Sequence, residues 1–196
     1  NGANDALLVA RRVGGTAAKG ADRQREKFAP RAEKYDREAS FPFEDYADLR
    51  EHGLLKLCVP KEHGGLGEGF ETYALVAEQI ARGNASTALT FNMHSTTMLT
   101  MGEWIDGIEM TPEARARHAE VAAKRWREVA EKGVVYGQPH SEMVETGAKD
   151  QLHVGGKRFG TTATKVDGGY VINGHKFFVS LSGAADYYAT PALLLG

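Results

Sequence analysis

The spacing of apolar residues divides the chain into a helical part and a strand-rich part. Up to about residue 132, Ala, Glu, Arg and Leu dominate, and apolar residues recur at the three- and four-residue spacing of a buried helix face. Beyond that point glycines become frequent, and β-branched and aromatic residues cluster around short turns. We therefore predict a helical domain over residues 1–132 followed by a β-domain over residues 133–196.

Stop and cap residues set the expected helix boundaries. The pattern predicts helices over residues 43–52, 70–82 and 112–132. Gly53 is placed to stop the first, and Thr111 followed by Pro112 is a favourable start for the last. A charged amphipathic stretch precedes them, and we expect it to be interrupted at residues 14–15 and at Pro30, because proline lacks the N–H that a helix interior uses.

The stretch from residue 83 to residue 102 contains no Asp, Glu, Lys or Arg. Its many Ser, Thr and Asn side chains are too polar for a membrane span. We predict a helix that is buried all round, and we hypothesise that it borders a ligand cavity, because its polar side chains need partners. His94 in this stretch is open to two interpretations, a residue facing a ligand or a hydrogen-bonded core histidine.

Two tight-turn signals lie close together in the last third of the chain, at Asp167-Gly168 and Asn173-Gly174. Segments rich in β-branched and aromatic residues surround them, at residues 161–166, 170–172 and 176–180. We predict an antiparallel meander of at least three strands. Such a sheet is marginal alone and needs the helical part or further chain to cover it.

Charge and cysteine content exclude several classes of partner. The chain has 24 Lys and Arg against 26 Asp and Glu, so no basic surplus indicates a nucleic-acid or anionic-membrane partner. Cys58 is the single cysteine, which precludes an internal disulfide and fits a reducing compartment. We expect no signal peptide at the first residues, a cytoplasmic rather than mitochondrial-matrix location, and no metal site, since the seven histidines form no ligand cluster.

Two further motifs fit catalytic chemistry poorly. The glycine-rich segment at residues 64–67 lacks the Lys-Ser/Thr of a phosphate-binding loop, which favours a plain turn. Ser141 follows His140, but adjacent side chains seldom face each other, and the segment has no Gly-x-Ser-x-Gly elbow. The residues by themselves therefore indicate an α+β chain and no specific reaction.

Several segments taken together resemble the acyl-CoA dehydrogenase family of flavoproteins. Their order and spacing look like the family's amino-terminal helical domain and the start of its middle β-domain, at residues 35–42, 49–55, 59–67, 76–81 and 162–180. The resemblance implies an α+β fold with an all-α amino-terminal domain followed by an antiparallel β-domain. The carboxy-terminal helical bundle that carries the family's catalytic glutamate is absent from this chain, so the chain looks like a truncation and no catalytic residue is assigned.

The resemblance also implies an activity. Family members use FAD to oxidise an acyl-CoA thioester to the 2-enoyl-CoA in fatty-acid or branched-chain acyl catabolism. An electron-transferring flavoprotein then reoxidises the cofactor, and the enzymes are homo-oligomers, tetramers or dimers. Flavin-dependent monooxygenases and oxidases share the fold and remain alternatives, as does a non-catalytic paralogue.

Matched positions give the expected cofactor contacts. By resemblance, Phe178, Val179 and Ser180 end a strand along the flavin ring, and Tyr136, Gly137 and Gln138 lie on the second flavin strand. The second strand departs from the family pattern Thr-Glu-Pro-x-x-Gly-Ser. Glycine at position 137 removes a hydroxyl that would bond the flavin, although a backbone N–H can still donate.

Substrate contacts follow from the same match. Ser141 is expected in the role of the family serine near the CoA or acyl chain. Phe91, His94 and Met98, with Met93, are expected to contact the acyl group, because the uncharged helix matches the region that lines the acyl pocket. The alternative, that these residues are ordinary core, stays open.

Overall fold

The computed structural model describes residues 15–102, 105–142 and 160–195, with side chains from residue 25 onward. The contacts group the chain into two compact units, Asn1–Val135 and Tyr136–Gly196. The boundary predicted after residue 132 lies just before this division. Gly14 and the amino-terminal residues examined for a signal peptide lie outside the described residues.

The first unit is helical, as the apolar spacing predicts. Its helices are α1 (Gly15–Glu38), α2 (Phe43–Glu51), α3 (Phe70–Gly83), α4 (Ala85–Met101) and α5 (Pro112–Lys132). Short 3₁₀ turns occupy Leu54–Lys56, Lys61–His63 and Ile105–Gly107. The predicted helices over 43–52, 70–82 and 112–132 are confirmed, and Thr111 caps α5 by accepting the Ala114 N–H at 3.2 Å.

The predicted interruption at Pro30 is wrong, because α1 continues through it. Pro30 lies on an exposed position of the helix, so the carbonyl that loses its partner faces water. Phe28, two residues earlier, is fully buried, and α1 packs along α3. Tertiary packing therefore holds the helix together where local propensity would break it.

A buried carboxylate joins α2 to the neighbouring helices. Asp45 is inaccessible to solvent and accepts hydrogen bonds from Arg31 at 3.0 Å, Asn84 at 3.1 Å and Thr87 at 2.8 Å. Asn84 also caps α4 by accepting the backbone N–H of Ser86 and Thr87. Because each carboxylate oxygen has a partner, the charge can stay in the core.

The uncharged helix α4 is only partly buried, which corrects the prediction of burial all round. Leu89 is 61% exposed, whereas residues on the other face are covered by the unit. Its hydroxyls bond back to the preceding turn of the same helix, as from Thr97 to the Met93 carbonyl at 2.8 Å and from Thr100 to the Thr96 carbonyl at 2.7 Å. These hydroxyls are thus satisfied within the helix, whereas Thr87 and His94 bond outside it, to Asp45 and to the Leu55 carbonyl, and none of them requires a ligand.

The second unit contains short strands. They are β1 (Tyr136–Gly137), β2 (Thr162–Val166), β3 (Gly169–Asn173), β4 (Tyr187–Tyr188) and β5 (Leu193–Leu195). β2 and β3 form the predicted antiparallel hairpin, with Thr162 opposite Asn173. β5 adds to β2 in parallel, and β1 pairs with β4 in parallel. The helical part followed by small sheets confirms the predicted fold class.

The third strand of the predicted meander is in the wrong place. Residues 176–180 make one isolated bridge, Lys176 to Glu142, and then leave extended geometry because Phe178 has a φ of +53°. β5, which lies further along the chain, takes the place beside β2 instead. Among the described residues, no helix combines the length and apolarity that crossing a bilayer requires.

Candidate functional site

The second unit brings together the two segments that are predicted to contact a cofactor. Gly137 lies on β1, and a Cβ built on it would lie 3.2 Å from the Ser180 carbonyl oxygen. The two residues are far apart in sequence, so their contact depends on the pairing of β1 with β4. We call residues 178–183 the flavin turn, since it includes all three residues expected on the flavin side.

The flavin turn holds an unusual backbone conformation. Phe178, Leu181 and Gly183 have φ values of +53°, +70° and +79°. For a residue with a side chain, left-handed geometry costs about 1 kcal/mol, so the surroundings must hold the turn in place. Leu181 anchors it, being 3% exposed, and its carbonyl accepts the N–H of Ala184 and of Ala185 at 2.9 Å.

The predicted cofactor residues on this turn lie in a turn and not at a strand end, which corrects the expectation. Phe178 is 83% exposed, and its ring meets that of Phe177 edge-on with centroids 5.1 Å apart. Val179 and Ser180 are partly buried beside it. In the described part of the chain, the hydroxyls of Ser180 and Ser141 make no hydrogen bond. A free aromatic face next to a free hydroxyl fits a flavin, whose ring is flat and whose edge is polar.

Tyr136, Gly137 and Gln138, the residues predicted on the second flavin strand, have different environments. Tyr136 is 5% exposed, and its ring stacks on Tyr187 with centroids 5.3 Å apart. Gly137 is buried, and its carbonyl accepts the Ala189 N–H at 2.9 Å as part of strand pairing. The Gln138 carbonyl accepts the His140 N–H at 2.9 Å. Tyr136 is therefore part of the packing of its unit, and a ligand at this strand would meet backbone rather than a side-chain hydroxyl.

Glu142, which the sequence did not single out, is held beside Ser141 by a dense set of bonds. Its side chain is 6% exposed and lies 2.9 Å from the Lys176 ammonium. It also accepts the Gly160 N–H at 2.8 Å and the Thr161 hydroxyl at 2.6 Å. Burial pushes the pKa of this carboxyl up, but the hydrogen bonds from Thr161, Lys176 and Gly160 outweigh it and hold the pKa below its usual value. No sequence spacing relates these partners, so only the fold reveals them.

The predicted substrate residues of the first unit are mostly core. Phe91 is fully buried, with its ring 6.1 Å from that of Tyr73. His94 is fully buried as well, and its Nε2 donates to the Leu55 carbonyl at 2.7 Å. This geometry favours the hydrogen-bonded core histidine over a ligand contact.

Met98 differs from the other two because it lines an open cavity of about 270 Å³. Cys58 and Leu99 lie beside it at the apolar side, and the loop from Pro60 to Glu68 forms much of the rest. Met98 is itself only 1% exposed, so among Phe91, His94 and Met98 it is the residue that borders the cavity rather than one open to solvent.

The glycine-rich segment is a plain turn. Gly64 and Gly67 have φ values of +86° and +66°, and a Cβ on Gly65 would overlap the Val59 carbonyl. The amide groups of residues 64–67 already donate to backbone carbonyls within the loop. They are not available to cradle a phosphate, which confirms the turn.

One group of described residues has the spacing of a metal site, with ligand atoms of Asp48, Glu51 and His52 within 4.8 Å of one another. The Asp48 carboxylate already bonds Arg31 at 2.7 Å and Lys27 at 2.9 Å. His52 Nδ1 is hydrogen-bonded to the Asp48 backbone carbonyl at 2.9 Å. Protein cations therefore neutralise this carboxylate.

Comparison with known proteins gives the chain a family context. Residues 20–104 match the acyl-CoA dehydrogenase N-terminal domain. The chain is 32% identical to the putative acyl-CoA dehydrogenase YdbM of Bacillus subtilis, over 85% of this chain and 40% of that protein. It is 30% identical to dibenzothiophene monooxygenase of Rhodococcus qingshengii, over 82% of this chain and 34% of that protein.

Solved structures agree on the fold. The crystal structure of FMN-bound TdsC from Paenibacillus sp. A11-2 matches with a TM-score of 0.70 and 26% identity, over 91% of this chain and 40% of that chain. The chain spans no more than about 40% of the length of the relatives named here.

Proposed function

This chain belongs to the acyl-CoA dehydrogenase family, and on that premise we propose that its protein is a flavin-dependent dehydrogenase of acyl-CoA thioesters, with FAD as cofactor and the 2-enoyl-CoA as product. The premise covers both units, because the match to YdbM spans 85% of the chain. The chain spans only 40% of YdbM's length, so the activity of the whole protein is stated as a proposal.

The observation that carries the proposal is the flavin turn beside β1. Phe178 offers an exposed ring that can cover the face of a flavin, and Ser180 offers a hydroxyl that can bond its polar edge. Gly137 can contribute a backbone group where the family has a threonine side chain. When bound, FAD supplies the hydride-accepting chemistry, and these residues orient it and keep water from its face.

Substrate and partners follow as further proposals. Ser141, whose hydroxyl has no partner among the described residues, is our candidate to contact the CoA or acyl chain, and Met98 is our candidate to contact the acyl end. Phe91 and His94 support the acyl site by packing rather than contact. We also propose an electron-transferring flavoprotein as electron acceptor, a homo-oligomeric assembly and a cytoplasmic location.

A second function, a flavin-dependent monooxygenase, is favoured by two observations. The chain is 30% identical to a dibenzothiophene monooxygenase, and FMN-bound TdsC shares its fold with a TM-score of 0.70. Gly137 also lacks the side-chain hydroxyl that the acyl-CoA dehydrogenases have at the matched position. Under this alternative the cofactor is a reduced flavin that reacts with oxygen.

Anaerobic flavin titration separates the two functions. The purified protein is loaded with FAD or FMN and mixed with acyl-CoA esters of increasing chain length. Bleaching of the visible flavin absorption by one or more esters supports the dehydrogenase. Fast reoxidation by air after dithionite reduction, with no bleaching by any acyl-CoA, supports the monooxygenase, and a protein that binds neither flavin contradicts both.

Ser180→Ala tests the assigned contact directly. Loss of one hydrogen bond to the cofactor should weaken flavin binding about fivefold to tenfold. Ser182→Ala is the matched control, because Ser182 is an exposed serine on the same turn whose hydroxyl we assign no contact. Equal flavin dissociation constants for the two variants would remove Ser180 from the site.

A further inference from the structure

We propose that Tyr188 is the positioning residue of the flavin turn, and that its ring disfavours any residue larger than glycine at position 137. The inference rests on the proposed flavin function, because the turn matters only if it presents Phe178 and Ser180 to a cofactor. Tyr188 itself is a positioning residue, since it acts through the turn.

Strand pairing places the Tyr188 ring against Gly137. The two residues are partners in the parallel β1–β4 pair, and the Ala189 N–H donates to the Gly137 carbonyl at 2.9 Å immediately after. A Cβ on residue 137 would lie 3.0 Å from both Cδ1 and Cε1 of Tyr188. The Tyr188 ring is 43% exposed but is held at its backbone by strand pairing and at its hydroxyl by the turn, so a larger residue at position 137 must shift the ring or the strand by a few tenths of an ångström.

The Tyr188 hydroxyl ties the turn from the same side. It accepts the Gly183 N–H at 2.9 Å and donates to the Leu181 carbonyl at 3.3 Å. Gly183 and Leu181 are two of the three left-handed positions of the turn. Strained conformations persist only where surrounding contacts fix them, and this hydroxyl bonds to both residues at once.

These contacts couple the strand to the turn. The family's threonine would place a Cβ in the space that the Tyr188 ring takes here. The absence of the threonine hydroxyl at position 137 is therefore linked to the presence of the Tyr188 ring. The ring contacts β1 at Gly137, and the hydroxyl holds the far end of the turn that carries Phe178 and Ser180. The orientation of these two cofactor residues therefore depends on a side chain that need not touch the cofactor.

Tyr188→Phe tests the tie, because it removes the hydroxyl and keeps the ring. We expect flavin dissociation constants about fivefold higher, together with an altered visible circular dichroism of the bound flavin. Amide hydrogen exchange of the peptide containing Gly183 should be faster in the flavin-free protein. Tyr170→Phe is the matched control, because Tyr170 is a half-exposed tyrosine of the same unit with no assigned bond to the turn.

A double-mutant cycle tests the claim about glycine. Gly137→Ala should weaken flavin binding at least tenfold in the presence of the Tyr188 ring. A Tyr188→Ala background removes both ring contacts and leaves the Ser180 carbonyl oxygen at 3.2 Å, so the same methyl group should weaken binding by only about threefold there. Equal effects in both backgrounds would show that the Tyr188 ring does not determine which residue fits at position 137.

The outcomes separate this inference from the function beneath it. A wild-type protein that binds neither FAD nor FMN overturns both. Normal flavin binding by wild type with unchanged affinity, spectrum and Gly183 exchange in Tyr188→Phe overturns the positioning role alone.

Discussion

The two units use their aromatic residues in opposite ways. In the helical unit, Phe91 is fully buried and lies against Tyr73. In the sheet unit, Phe178 is 83% exposed on a turn with left-handed geometry. Both residues carry the same side chain and both are predicted from the sequence to contact a ligand, yet the fold gives one to the core and leaves the other on the surface.

This difference indicates what each unit contributes. In the helical unit, the buried carboxylate of Asp45 and the threonines of α4 are hydrogen-bonded within the unit, which stabilises its fold. In the sheet unit, Phe178 and Leu181 hold left-handed φ values on the flavin turn, and the Ser180 hydroxyl has no partner among the described residues, which is the pattern of a binding site. Stability and binding should therefore respond to different substitutions.

Substituting the two phenylalanines should produce the largest contrast. Phe91→Ala should lower the free energy of unfolding by about 3–5 kcal/mol, because it removes a fully buried aromatic ring and leaves a cavity. Phe178→Ala should change it by less than about 0.5 kcal/mol, because that ring is exposed. Urea denaturation followed by circular dichroism measures both.

Flavin affinity should show the reverse order. Phe178→Ala should weaken flavin binding, whereas Phe91→Leu, which keeps an apolar side chain in the core, should leave it unchanged. A Phe91→Ala protein of normal stability with a raised KM for acyl-CoA would place Phe91 in the substrate pocket, as the resemblance implies, and would break the comparison.

The Glu142 ion pair differs from the flavin turn, since it is buried and its carboxylate accepts several hydrogen bonds. Glu142→Gln should lower the free energy of unfolding by about 2–3 kcal/mol, because it removes a buried carboxylate charge 2.9 Å from the Lys176 ammonium. Asp167→Asn is the control, a charge deletion at an exposed position of the same unit.

The pH dependence has a defined sign. The folded pKa of Glu142 lies below its unfolded value of about 4.3, so the pair's stabilisation is present above that value and is lost as the pH falls through the folded pKa. Wild-type protein should therefore lose more stability than Glu142→Gln between about pH 5 and pH 3. Parallel pH profiles for the two proteins would contradict a depressed pKa.

Local signals account for what the sequence could predict. Helix ends follow from single residues, such as Thr111 at the start of α5 and Gly53 after α2, and the hairpin follows from Asp167-Gly168. Pro30 misleads because the packing of α1 on α3, which no local pattern encodes, outweighs its cost.

For the candidate site, the sequence predicts which segments contribute but not how they are arranged in space. Residue types and order identify the segments around Gly137 and Phe178, but the left-handed φ of Phe178 and the parallel pairing of β1 with β4 arise from contacts between distant parts of the chain. The partners of Glu142 are hidden for the same reason. Tyr188 carries no sequence motif, and only its distances to Gly137 and the turn identify it.

Glycine substitutions should change the free energy of unfolding least, and they test whether backbone conformation contributes to the difference between the units. Gly53 in the helical unit and Gly168 in the hairpin have φ values of +71° and +80°, with no close obstacle to a Cβ at either position. Gly53→Ala and Gly168→Ala should each lower the free energy of unfolding by about 1 kcal/mol, because each places a Cβ on a residue in the left-handed conformation. Gly169→Ala, next to Gly168 in equally open space but without a left-handed φ, should stay within about 0.5 kcal/mol of wild type. Thermal unfolding of the three variants measures this. Equal losses of stability at residues 53 and 168 would mean that the two units differ in side-chain packing and not in backbone geometry. A much larger loss in the hairpin would mean that local backbone geometry also differs between the units.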